Sequence, residues 1–342
     1  MNDERATMQK VRKSEKRLGS VELARFIAML MIMAHHEYIL GYEKGEYAFS
    51  LGWIWVDFFF ILTGYFTAKH FLNTERTDEN LSKSVMEYHI NKFRKFFVIA
   101  VIAIVLQLVI NAFINGYGLA SIAIDLSKMP YEILFLTSSG VSEAGLVPIW
   151  YLSAVFITLP VVVLLFVRFR KYWYVVSWII PLLYIGRFGV NTDRTWPNDL
   201  LRSFSYLILG TFVLLIAEEV RKAQLSTAIK CVLTVVEIGS FLLAVVITLF
   251  NYDTNLTALL FVVNAIIMLS GKSYSSLLNS WFVSFLGKLS IPMFLFQWCV
   301  GTMISGITNN LSVKLVLYYS GTIVVAVVIT ILQDIFMKRA KK

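Results

Sequence analysis

Residues 20–41 read Ser-Val-Glu-Leu-Ala-Arg-Phe-Ile-Ala-Met-Leu-Met-Ile-Met-Ala-His-His-Glu-Tyr-Ile-Leu-Gly, an apolar run with Arg25 near its start and His35 and His36 near its end. A bilayer's hydrocarbon core calls for about 20 mostly apolar residues per helix. Ionisable groups inside such a helix are costly and usually face a bundle interior or an aqueous cavity. The run therefore predicts a membrane span that borders a site. The next apolar run contains Val56-Asp57-Phe58-Phe59-Phe60-Ile61-Leu62-Thr63-Gly64-Tyr65-Phe66. An Arg, a His and an Asp on two consecutive spans point to a reaction or a transport site.

The rest of the chain is of the same kind. Its 342 residues are 58% hydrophobic, against about 45–50% in a soluble domain. Mean hydropathy is +0.70. About ten candidate spans follow from the length rule, at 20–41, 51–72, 93–115, 147–168, 172–187, 200–219, 228–250, 255–270, 288–307 and 313–336. The expectation is an all-α polytopic membrane helix bundle. Residues 1–19 form a basic segment, 20–336 a single membrane domain, and 337–342 a basic tail. The start resembles a signal peptide, but its apolar run is too long and no small-residue cleavage site closes it.

Only 15% of residues are charged, yet the net charge is +9. Basic residues cluster on alternate connections: Arg76, Lys83, Lys92, Arg94 and Lys95, then Arg168, Arg170 and Lys171, then Arg221, Lys222 and Lys230, then Lys272 and Lys288. The intervening loops carry Glu43, Lys44 and Glu46, then Asp125, Lys128, Glu132 and Glu143, then Asp193, Arg194 and Asp253. The positive-inside rule puts both termini in the cytoplasm, as an even number of spans requires. The excess charge suits anionic lipid, and no nucleic-acid-binding module is evident. Cys231 and Cys299 lie far apart in apolar segments, so neither a disulfide framework nor a metal site is expected. The segment 116–146 is either a re-entrant or interfacial element lining a site or an ordinary packed loop.

Depth sorts the polar residues into two layers. With a rise of about 1.5 Å per residue, Arg25 lies roughly 7 Å and His36 roughly 24 Å from the cytoplasmic boundary. Span two runs the other way, which brings Asp57 near the depth of His36 and Thr63 and Gly64 towards that of Arg25. Plainer readings exist. His36 can be a headgroup-level residue, Asp57 a helix-end carboxylate, and Arg25 a cation snorkelling to the interface. Their recurrence in one compact unit weakens all three. Glu237, in the middle of span seven, is either a site carboxylate or a structurally partnered one. Gln107, Asn111, Asn264 and Gln297 read as interhelical hydrogen-bonding residues.

These residues resemble the acyltransferase-3 family of integral membrane acyltransferases. The resemblance rests on Arg25 and His36 in span one and on the stretch Asp57 to Tyr65, with Thr63 in the family's Ser position. It rests also on Trp150-Tyr151-Leu152-Ser153, on Arg202-Ser203-Phe204 to Gly210, and on Gly287-Lys288-Leu289-Ser290 continuing to Gln297. Two departures stand out: Gln297 replaces a late His, and Phe294 replaces a Tyr. If that His assists chemistry in relatives, this chain does without it.

The resemblance implies transfer of an acyl group, acetyl foremost, from a cytoplasmic acyl-CoA such as acetyl-CoA. The implied acceptor is a hydroxyl of a cell-envelope glycan or its lipid-linked precursor, at a bacterial-type plasma membrane. No bound cofactor is expected. Acyl transfer needs a base and charge stabilisation for an oxyanion. His36 suits the base, Asp57 would orient it, and Arg25 would hold the anionic donor. A second route has His36 carry the acyl group briefly. Thr63, Gly64, Trp150, Tyr151 and Glu237 are the candidate substrate-binding residues. Trp53, Trp55, Trp150 and Tyr151 read first as an interfacial belt and second as sugar-stacking rings. The rival function is a transporter or flippase using Arg25, Asp57 and Glu237 as a path. A third option is a non-catalytic assembly partner. The lack of an internal repeat counts against the transporter.

Overall fold

Asp253, Ser280 and Ser226 each open a helix by accepting backbone N–H bonds with their side chains, and Gly41 and Gly271 close segments with positive φ. Such local signals divide the apolar sequence into helices in this computed structural model. It describes residues 18–43, 47–72, 78–114, 116–142, 145–188 and 196–339. The expected charges at Lys44, Glu46, Arg76, Glu143, Asp193 and Arg194, with the N-terminal basic cluster and the last three residues, lie outside that set.

Among the described residues there are eleven α-helices and no strand. They are α1 Gly19–His35, α2 Trp55–His70, α3 Asp78–Phe113, α4 Leu119–Ile133, α5 Ile149–Arg168 and α6 Trp173–Phe188. They continue as α7 Asn198–Lys222, α8 Thr227–Leu249, α9 Thr254–Ser270, α10 Trp281–Ser305 and α11 Leu311–Arg339. Seven are long and apolar enough to cross a membrane. The spans expected at 51–72, 172–187 and 255–270 are helices of 16, 16 and 17 residues. Two of these are lengthened by 3-10 turns, Gly52–Ile54 ahead of α2 and Arg170–Tyr172 ahead of α6.

The centre of the bundle is the α2–α7 pair, flanked by α5, α6 and α9. Its closeness comes from two glycines. A Cβ on Gly64 would stand 2.1 Å from the Leu207 carbonyl oxygen, and one on Gly210 would stand 2.1 Å from that of Ile61. Small residues let helix backbones approach where no water drives association. Gly64, expected to bind substrate, thus sits at a helix crossing.

Helix α10 packs against α1, α3 and α11, and α1 in turn meets α2 of the central pair. Residues 116–146 hold the extra helix α4, an amphipathic element on α3 that leaves Leu119 and Ile124 exposed. Asn111 Nδ2 on α3 donates to Asp125 of α4 at 3.0 Å, and the Glu132 carboxylate accepts the Leu146 N–H at 2.7 Å.

Candidate active site

Helix α1 changes character at its end. The α-helix stops at His35, and His36–Leu40 form a 3-10 turn that closes at Gly41. Helix α11 clamps this turn. Lys314 Nζ donates to the Leu40 carbonyl at 3.0 Å, and the Tyr319 hydroxyl donates to Glu37 Oε1 at 2.7 Å. One turn earlier, the Tyr318 hydroxyl lies 3.3 Å from the Met33 carbonyl oxygen and 3.2 Å from Gln297 Oε1. Gln297 therefore ties α10 to α11, and its side-chain amide also donates to the Phe294 carbonyl at 3.3 Å. Adjacent Trp298 meets the His36 ring edge-to-face, 5.5 Å between centroids. His35 pairs its Nδ1 with the Ser50 carbonyl at 2.6 Å, its ring lies 5.0 Å from that of His36, and it lines the same cavity.

His36 borders a cavity of about 400 Å³ that also touches Tyr38, Tyr47, Trp53, Trp150 and Arg202. Below it lies a second cavity of about 220 Å³, lined by Arg25, Thr63, Lys92, Lys95 and Tyr151 among apolar side chains. Val56 and Phe294 line both and form the wall between them. The inner cavity shares Arg25, Lys95, Phe96 and Ile291 with a vestibule of about 850 Å³ at the basic end of the bundle. That vestibule adds Arg94 and Lys288, so four cations face two carboxylates, Glu22 and Asp334. Of the two layers expected from depth, His36 lines the first cavity and Asp57 does not, and Arg25 and Thr63 line the second and Gly64 does not.

Asp57, expected to orient His36, pairs with Arg202. Asp57 is fully buried, and Arg202 Nε donates to its Oδ1 at 2.7 Å. Arg202 Nη2 donates to the Trp53 carbonyl at 3.3 Å. The guanidinium carbon stands 4.9 Å from the Trp53 ring centre and 5.6 Å from that of Trp150. The physical reason is charge balance: a permanently charged Arg inside α7 needs a buried anion, and Asp57 supplies it. Arg202, unlike Asp57, lines the outer cavity.

Arg25 pairs one turn back with Glu22, Nη1 to Oε2 at 3.0 Å. Glu22 fits only because residue 287 is Gly: a Cβ there would lie 2.6 Å from the Glu22 Cβ. Thr63 Oγ1 and the Tyr151 hydroxyl are 3.3 Å apart. Lys92 Nζ donates to Thr67 Oγ1 at 3.3 Å. Trp53 and Trp150 face the outer cavity, whereas Trp55 is core, its indole N–H on Thr248 Oγ1 at 3.1 Å. Glu237 lines none of the three cavities. It accepts from the Ser275 hydroxyl at 2.6 Å, and its backbone carbonyl accepts from Asn264 Nδ2 at 2.9 Å.

Of the cations that line the outer and inner cavities, Arg202, Lys92 and Lys95 were not among the expected site residues. Arg202 was visible as a cation inside a span that must be neutralised. Lys92 was placed among the basic residues of a connection, because the helix that carries it, α3, starts well before its apolar part.

Arg202, Arg25 and Lys92 each border one of these cavities, whereas Asp57 and Glu237 do not. A sequence model of the family described as acyltransferase domain, the third of that name, matches residues 18–332. Neither the curated proteins nor the solved structures contain a match to the chain.

Proposed function

The chain belongs to the acyltransferase-3 family, and we propose that it moves an acyl group, acetyl foremost, from a cytoplasmic acyl-CoA to a hydroxyl of a cell-envelope glycan or its lipid-linked precursor. It is a multi-pass membrane protein. In this reading the basic end faces the cytoplasm, both termini lie there, and the membrane is a bacterial-type plasma membrane.

One observation carries the reading: a basic vestibule leads through a narrow apolar cavity to a wall whose far side holds His36. A CoA thioester has matching parts. Its phosphates suit Arg94, Lys95, Lys288 and Arg25, since planar guanidinium groups and ammonium groups both bind phosphate. Its slender arm suits the inner cavity, where the Thr63 and Tyr151 hydroxyls supply polar contacts. The thioester then reaches the Val56–Phe294 wall and, past it, the outer cavity. There a sugar ring would sit between His36 and the two indoles, which offer apolar faces for stacking.

His36 is the base. A neutral imidazole takes the acceptor hydroxyl's proton as that oxygen attacks the thioester carbonyl. Ring contact with Trp298 and the α11 clamp on the 36–40 turn hold it in place. The test is acyl transfer in liposomes, with labelled acetyl-CoA on the vestibule side and a panel of envelope glycans as acceptors. His36→Ala should lower the rate by about 10²–10⁴-fold in folded protein. Equal rates would remove His36 from the mechanism. Glycan flux without any labelled product would favour the transporter.

A further inference from the structure

Resting on the acyl-transfer reading, we propose that Arg202 is a further catalytic residue: its guanidinium stabilises the oxyanion that forms on the thioester carbonyl in the outer cavity, and Asp57 positions it.

A guanidinium has five N–H donors in a fixed plane. Arg202 commits Nε to Asp57 and one Nη2 N–H to the Trp53 carbonyl. Trp53 and Trp150 hold the group between two rings, and it borders the same cavity as His36. Side chain and carboxylate are both nearly inaccessible, at 4% and 0% exposure. A buried ion pair is often no more stabilising than apolar residues of the same volume. Its cost is accounted for if the arginine does something that apolar residues cannot. Asp57 lies off the cavity while Arg202 lies on it, so the pair presents its positive end to the site. Donors fixed before reaction, in a site of low dielectric, are what a developing oxyanion needs.

The step balances with the two substrates alone. The acceptor oxygen bonds to the carbonyl carbon, its proton passes to His36, and the carbonyl electron pair moves onto the oxygen facing Arg202. The intermediate collapses, the C=O bond is restored and the C–S bond breaks. The departing sulfur takes the proton from His36, leaving an ester and the free CoA thiol.

The test replaces the pair together, Asp57→Leu with Arg202→Met, which leaves neither charge stranded. In liposome transfer assays kcat should fall about 100-fold, with KM for the acyl-CoA within about twofold of wild type. An unchanged kcat would overturn the proposal. So would a loss confined to the acceptor KM, which would make Arg202 an acceptor-binding group. If the double variant does not assemble, Arg202→Lys decides by the same criteria, since it keeps a cation on Asp57 but loses the planar fork. Its kcat should fall about tenfold. Absence of transfer by the wild type would sink the acyltransferase reading itself, whereas transfer indifferent to Arg202 sinks this inference alone.

Discussion

The outer and inner cavities are separated by two side chains, yet they hold their charges in different ways. In the outer cavity the ionic group is a sealed pair, Asp57 with Arg202, fixed by two indoles and a backbone carbonyl. In the inner cavity the ionic groups stand near the basic end. Arg25 is 24% exposed, and its partner Glu22 is one turn away on the same helix. The first arrangement resists movement, because shifting either partner strands a charge in low dielectric. The second can exchange partners, because water and mobile ions screen it. A site that fixes reacting atoms benefits from the first, and a site that admits and releases a charged donor benefits from the second.

Stability is where the contrast should be largest. Arg202→Met alone leaves Asp57 buried and uncompensated, and should cost about 3–5 kcal/mol. Arg25→Met removes a partly exposed i, i+3 pair and should cost about 0–1 kcal/mol. Thermal unfolding of both variants in one detergent measures the gap. Equal melting shifts would mean that the outer pair is wetter than its burial indicates.

How much of this was legible in the sequence depends on range. Arg25 and His36 were readable because helical rise alone fixes their separation and depth. Asp57 was readable as an ionisable group within the second span, and it is fully buried. Its partner was not, because Arg202 lies 145 residues away, and no local pattern encodes which span neutralises which. The rule that a cation within a span needs an anion would have made Arg202, near the start of the span 200–219, a candidate. Gly64 illustrates the same limit. Its motif suggested a substrate contact, whereas its tight neighbour is the Leu207 backbone, on a helix far along the chain. Glu237 satisfied the rule for a buried carboxylate, but its carboxylate accepts from Ser275, in a 3-10 turn that lines none of the three cavities.

The dividing wall gives the next effect. Phe294→Ala should merge the two cavities and admit bulkier acyl groups. The ratio of hexanoyl to acetyl transfer, as kcat/KM, should rise about tenfold. The measurement is a chain-length series of acyl-CoA donors. An unchanged ratio would mean that the acyl group never meets this wall.

Gly287→Ala probes the inner side alone. The new Cβ would collide with the side-chain stem of Glu22, not only with its movable carboxylate. Glu22 must shift, and Arg25 with it. KM for the donor should rise about tenfold while kcat changes less, since a lost charged contact is worth on the order of 1.4 kcal/mol. A fall in kcat without a change in KM would place Arg25 in the chemistry and not in donor binding.

The smallest effect belongs to the hydroxyls. Tyr151→Phe removes the group that faces Thr63 across 3.3 Å and leaves the ring that packs on Phe60 and Phe294. A neutral hydrogen bond contributes about 0.5–1.5 kcal/mol net, so donor affinity should weaken about two- to tenfold with the fold intact. Thr63→Val should do the same, and the double variant should be no worse than either single one if the two hydroxyls act as one contact. Additive losses in that cycle would mean that each hydroxyl meets the donor separately. The inner cavity would then be a polar track along its length, and its difference from the outer cavity would reduce to the burial of the ion pair.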